Sequence, residues 1–179
     1  GRDLGHQIRA PKLGVLGRGK TVQEPGIGLA LPCRKRLARV PDDDLGGALV
    51  MAREWAKTRS PKALLLPHDN PDPDSLAAAA GLSLLLGRQG IECTIGMAGI
   101  IGRAENRAMV RVLSFDLRPI ENLDLSSFGI IALLDTQPGT GNNSLPLSRL
   151  PDIVIDHHPP RALSAEVPWC DIRPEFGAS

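Results

Sequence analysis

The chain has no tyrosine, and aromatic residues make up only 3% of its 179 positions. Recognition of single-stranded nucleic acid by stacking needs several exposed rings. The rings available here are Phe115, Phe128, Phe176, Trp55 and Trp169, which disfavours an RNA-recognition or OB-type module. Charge of one sign is also missing: the formal net charge is +1, so no polybasic face for a long nucleic acid is implied. The run Cys33-Arg34-Lys35-Arg36 is short and reads as a solvated stretch. Cysteine is scarce as well. Cys33, Cys93 and Cys170 are far apart and form no CxxC pair, which argues against a disulfide framework or a thiolate zinc site and fits a reducing cytoplasm. No apolar run reaches the length of a membrane span. The most apolar stretch, Leu76 to Leu86, is too short for one. No signal peptide is expected, because the N-terminus lacks a continuous apolar segment.

The segment 1–44 is rich in Gly, Pro, Arg and Lys and has no clean hydrophobic period. It reads as an irregular leader or the end of an upstream domain. Within it, Gly14-Val15-Leu16-Gly17-Arg18-Gly19-Lys20-Thr21 matches the phosphate-loop pattern GxxxxGK[ST]. That mechanism requires a buried strand before the loop and a helix after it. Arg9-Ala10-Pro11-Lys12 is a poor strand, and Pro25, Gly26 and Gly28 would break the helix. The phosphate-loop reading is therefore set aside.

From Leu45 the pattern is regular. Asp42-Asp43-Asp44 offers capping carboxylates for a helix over Leu45 to Thr58, stopped by Ser60-Pro61. Ala63 to Leu66 reads as a buried strand. Ser75 to Arg88 reads as a helix apolar on most faces and hence buried, ended by Gly90. A strand over Ile91 to Met97 and a short charged helix over Ala104 to Leu113 follow. Ile130 to Leu134 and Ile153 to Ile155 read as further buried strands, and Val167 to Ile172 as another. Strands alternating with helices predict an α/β fold, a mainly parallel sheet with helices on both faces.

The chemistry stands just after the strands. Leu64-Leu65-Leu66 leads to Pro67-His68. Ile130 to Leu134 leads to Asp135. Ile153-Val154-Ile155 leads to Asp156-His157-His158. In parallel α/β sheets ligands bind beyond the carboxyl ends of the strands, so these residues are expected to converge. His68-Asp69-Asn70-Pro71-Asp72-Pro73-Asp74 is a loop stiffened by its prolines, in which Asp72 and Asp74 project to one side; taken alone it also reads as a Pro/Asp turn. Gathered carboxylates of Asp72, Asp74 and Asp135 repel one another unless cations or protons neutralise them. Carboxylate and imidazole without thiolate suit Mn, and less distinctively Mg, Fe or Zn.

Taken in order, these motifs resemble the DHH phosphoesterase family from about Lys62 to Ser179, the fourth motif being Asp171 with Gly177-Ala178-Ser179. The resemblance implies a Rossmann-like metal-binding domain over 45–179 that holds two divalent ions, Mn foremost and Mg as an alternative. It implies His68 and Asp72 on one metal, Asp74, His157 and Asp171 on the other, and Asp135 between them. It gives His158 a phosphate contact, and Asp156 the orienting of the site. It implies a phosphoesterase acting through a metal-activated water on nucleotides or short oligonucleotides. Alternatives are a cyclic dinucleotide, single-stranded DNA or pyrophosphate as substrate, or a non-catalytic regulatory domain. A homodimer is compatible with it. Gly102-Arg103-Ala104-Glu105-Asn106-Arg107 is similar to a segment lying over the metals in the nanoRNA and phosphoadenosine-phosphate hydrolase branch. There Arg103, Asn106 and Arg107 would touch phosphate; the plain alternative is a first helical turn with solvated arginines. Relatives carry a second, substrate-gripping domain with a Gly-rich, His-containing motif. Nothing here matches it, so the expectation is the metal-binding half alone, with weakened hydrolysis.

Overall fold

The computed structural model describes residues 45–176. The Gly14–Thr21 motif, Cys33, the Asp42-Asp43-Asp44 cap, the expected leader and Gly177-Ala178-Ser179 lie outside the described residues.

Six strands form one sheet in the order β3-β2-β1-β4-β5-β6. The strands are β1 (Lys62–Pro67), β2 (Glu92–Met97), β3 (Leu117–Pro119), β4 (Ile130–Leu134), β5 (Ile153–Asp156) and β6 (Trp169–Ile172). Every pairing is parallel. Sheet order runs outward from β1 to β3, then restarts on the other side of β1 and runs to β6. This is the doubly wound, Rossmann-like arrangement, and its switch point lies between β1 and β4. The expected α/β fold with a parallel sheet is thus observed. β3 carries only three residues and gave no pattern long enough to read in advance.

The two sheet faces are covered differently. On one face, Ala63, Leu65, Ile130, Ala132 and Leu134 pack against helix α1 (Leu45–Thr58) through Ala48, Ala52 and Trp55. They also pack against helix α2 (Pro73–Gly87) through Ala79, Leu82 and Leu86. On the other, Leu64, Leu66, Ile131, Leu133 and Val154 pack under Ile120, Phe128, Leu145 and Val167. Those residues belong to 3-10 turns and loops, so the second cover is made of 3-10 helical segments rather than α-helices. The reversal of sheet order explains the division. Right-handed crossovers toward β3 fall on one face, and those toward β6 fall on the opposite face.

Helix α2 is less enclosed than its composition predicts. Leu76, Ala79, Leu82 and Leu86 are buried, while Ala77, Gly81 and Leu84 are exposed. Alanine and leucine are placed on the outer face because they favour the helix itself. At the opposite end of the sheet from the β-strand carboxyl ends, Arg59 stacks 5.1 Å over Trp55. It donates from Nη1 to Asp152 Oδ1 at 2.8 Å and to the Gly129 carbonyl at 3.2 Å. Asp152 Oδ2 accepts from the Ile131 amide at 3.0 Å. This clamp ties the end of α1 to the starts of β4 and β5. Among the described residues no helix is long and apolar enough to cross a membrane.

Candidate metal centre

Strand register sets the site. Pro67 pairs with Leu134, Leu134 with Ile155, and Ile155 with Asp171. One step beyond that row, His68, Asp135 and Asp156 stand side by side at the carboxyl edge, next to the switch point.

The backbone turns sharply there. Asp135 has φ 57 and Asn70 has φ 58, left-handed values that Asp and Asn accept more readily than other non-glycine residues. The Asp135 amide still donates to the Ile155 carbonyl at 2.9 Å, so the ladder holds while the side chain swings above it. Asp72 is the N-cap of α2 and accepts from the Ser75 amide at 3.2 Å, with the reciprocal bond from the Asp72 amide to Ser75 Oγ. The carboxylate sits where the helix dipole favours negative charge.

Three imidazoles surround Asp135. His68 Nε2 lies 3.5 Å from Oδ2, His157 Nε2 3.2 Å from Oδ1, and His158 Nδ1 3.5 Å from Oδ1. His68 Nε2 is also 3.3 Å from Asp72 Oδ1. Two donor sets therefore share Asp135: His68, Asp72 and Asp135 in one, and Asp135, His157 and His158 in the other. Asp135 Oδ1 is buried and, among the described residues, has no hydrogen-bond partner. A buried carboxylate oxygen left unsatisfied is costly, and a cation between it and the rings removes that cost. Divalent metals fit this donor set.

Electrostatics agree. Burial pushes the Asp135 carboxyl above its ordinary range; His157 and His68 pull it back, while Asp74 and Asp72 push it up. Burial also raises the Asp72 carboxyl, but hydrogen bonds with Asp74 and Ser75 and the neighbouring His68 outweigh it and hold the group below the usual value.

Asp156 is arranged differently. Its side chain is fully buried. Oδ1 accepts from the amides of His157 at 2.8 Å and His158 at 3.2 Å, and pairs with His158 Nδ1 at 2.8 Å. It thus folds the triplet into place rather than facing the cluster. The hydrogen bond to Asp156 holds the His158 imidazole above its usual range, against a smaller opposing effect of burial. The His158 side chain is 51% exposed.

Asp74 and Asp171 line a cleft of about 440 Å³ together with Asp135, Asp156, His157, Arg173 and Phe176. Neither joins the compact donor sets. Asp171 Oδ1 accepts instead from Arg173 Nε at 2.6 Å. The structure thus brings His68, Asp72, Asp135, His157 and His158 together, and sets Asp74 and Asp171 at the border. His158 was expected on phosphate, and it reaches Asp135 as well. Arg103 and Arg107 are exposed and Asn106 is buried. Arg107 Nη1 donates to the carbonyls of Ile101 and Gly102, and among the described residues none of the three joins the cluster. They open helix α3 (Ala104–Val112).

The loop holding that helix is nonetheless tied to the site. The Asn70 amide donates to the Ala98 carbonyl at 3.0 Å, and the Ile100 amide donates to Asn70 Oδ1 at 3.0 Å. At Gly99, with φ 74, a Cβ would meet Asn70 Oδ1 at 2.4 Å, so glycine is required there. The Gly139–Asn143 segment is cross-linked by hydrogen bonds. Asn143 Nδ2 donates to the Gln137 carbonyl at 2.9 Å, and the Asn142 carbonyl accepts from the Asp69 amide at 2.7 Å. Gln137 itself was passed over, since a lone glutamine in a loop carries no sequence signal. It is fully buried and bonded to Asp156. Cys170 is partly buried against the second core cluster, and burial pushes its thiol up to about 12.

No family model matches the chain, and no solved structure matches it. It is 42% identical over 118 residues to an uncharacterized protein of Methanocaldococcus jannaschii, a match covering 65% of this chain. The match spans 23% of that relative's length, so the chain corresponds to about a quarter of it.

Proposed function

We propose that this chain is the metal-binding half of a two-metal phosphoesterase of the DHH type. Its substrates would be phosphodiester or phosphomonoester bonds in nucleotides and short oligonucleotides. The observation that carries the reading is the Asp135 carboxylate, shared by two His-containing donor sets and keeping a buried oxygen without a hydrogen bond among the described residues. Two divalent ions, Mn foremost, would supply an activated water and stabilise the leaving oxygen.

The residues divide the remaining work. His68 and Asp72 would hold one cation and His157 the other, with Asp135 available to both. Asp74 and Asp171, which line the cleft beside His157, would be the further carboxylates of the second set. His158, half-exposed and polarised by Asp156, presents its outer nitrogen to a phosphate oxygen. Asp156 orients the His158 imidazole and fixes the backbone that carries His157; being buried, it takes no part in binding substrate. The near-neutral charge and few aromatics favour a short substrate over a long strand. The unpaired thiols of Cys93 and Cys170 suit a reducing cytoplasm.

The test is hydrolysis by the full-length protein of a panel of substrates: short oligoribonucleotides, nucleotide 3′- and 5′-phosphates, a cyclic dinucleotide and pyrophosphate, each with Mn and with chelator. Mn-dependent turnover that vanishes in Asp135→Asn supports the reading. Absence of turnover on every phosphate ester contradicts it.

A further inference from the structure

We propose that Gln137 is the positioning residue of this centre, and that its side-chain amide sets the affinity for the cation on the His157 side. The inference rests on the two-metal reading above. A fully buried carboxylate such as Asp156 needs donors for both oxygens. Oδ1 is served by the His157 and His158 amides and the His158 ring. Oδ2 receives Gln137 Nε2 at 2.6 Å. Without that bond the Asp156 carboxylate can rotate about χ2, and both histidines lose their common anchor.

The amide is itself locked the right way round. Gln137 Oε1 accepts from the Arg161 amide at 2.8 Å and from Ser164 Oγ at 2.8 Å. A backbone N–H can only donate, so the oxygen must face Arg161, and the NH₂ group must face Asp156. The same NH₂ lies 3.2 Å from the Pro159 carbonyl. Gln137 therefore spans from the loop that carries Asp135 to the loop that carries His157 and His158. It fixes the separation of the two elements that must hold the second cation together. A neutral donor is suited to this role. A cation in its place would compete with the His158 ring for the Asp156 charge, and a carboxylate would repel it. Supports of metal-ligating histidine are commonly worth about 10–100-fold in metal affinity. The set of His68, Asp72 and Asp135 makes no contact with Gln137 among the described hydrogen bonds, so its affinity should not move.

The experiment is calorimetric titration of the metal-free, full-length protein with Mn²⁺, comparing wild type with Gln137→Met and Gln137→Asn, alongside paramagnetic resonance of the bound ions. Met keeps the length of the side chain and removes every side-chain hydrogen bond. Asn keeps an amide but is one methylene short of Asp156. Wild type is expected to take up two ions with an exchange-coupled spectrum. Gln137→Met should bind the first ion as wild type does and the second about 10–100-fold more weakly, with uncoupled spectra at one equivalent. Gln137→Asn should fall between, and it carries the test if the Met variant does not fold. Wild-type affinity at both sites in a folded variant overturns the proposal. So does an equal loss at both sites with a lowered melting temperature, which is the mark of a merely structural role. Wild type that binds no Mn²⁺ defeats the two-metal reading itself, a different outcome from either.

Discussion

Asp135→Asn separates the metal account from a purely structural one. Asparagine keeps the shape of the side chain and tolerates the φ of 57 found at this position. It removes the charge that His68, His157 and His158 have in common. In the metal-free protein that charge is a burden. Burial and the carboxylates of Asp74 and Asp72 already push its protonation upward, so the variant should stay within about 1 kcal/mol of wild type in chelator. With metal the two proteins should diverge. A ligand at about 100 times its Kd stabilises the native state by about 2.7 kcal/mol per site. For a domain of this size that moves the melting temperature by about 10 °C. Thermal melts followed by circular dichroism, in Mn²⁺ and in EDTA, should show the shift in wild type and nearly none in Asp135→Asn. An equal Mn²⁺ shift in both proteins would refute the reasoning, because it would locate the stabilising ion away from Asp135.

Other consequences are separable from this one. His158→Ala should retain both metals while turnover falls by about two to three decades, as when a transition-state stabiliser is removed; loss of one equivalent of Mn²⁺ would instead make His158 a ligand. Asp152→Ala leaves Arg59 and the Ile131 amide without their shared carboxylate. It should cost about 3 kcal/mol in urea unfolding and leave metal affinity unchanged; a loss below 1 kcal/mol would mean the clamp is dispensable. Gly129→Ala places a Cβ 2.1 Å from the Ser60 carbonyl oxygen, so it should destabilise by about 1–3 kcal/mol. Wild-type stability there would show that the β4 entry loop yields freely.

Much of the fold was legible because the buried strands are uninterrupted apolar runs. Ala63–Leu66, Ile130–Leu134 and Ile153–Ile155 each lead within two residues into the site, and the rule for parallel sheets then predicts convergence. The observed register meets that expectation at His68, Asp135 and Asp156. Period and propensity fail where tertiary context decides. β3 is held by three pairings to β2 and has no core pattern of its own. The outer face of α2 is apolar yet exposed, because alanine there serves helix propensity rather than packing. Side-chain geometry was less accessible still. Sequence spacing could not tell that Asp171 would be turned onto Arg173. Nor could it show His158 near Asp135, or the buried amide of Gln137 behind Asp156. These depend on rotamers set by neighbours distant in the chain.

The central claim is that two cations share the Asp135 carboxylate. Crystals of the protein grown with Mn²⁺ and measured at the manganese absorption edge test it directly. The account predicts two anomalous peaks about 3.5–4 Å apart, one beside His68 and Asp72, the other beside His157, with Asp135 between them. No peak at the carboxyl edge of the sheet, in crystals where Mn²⁺ is in excess, would contradict it.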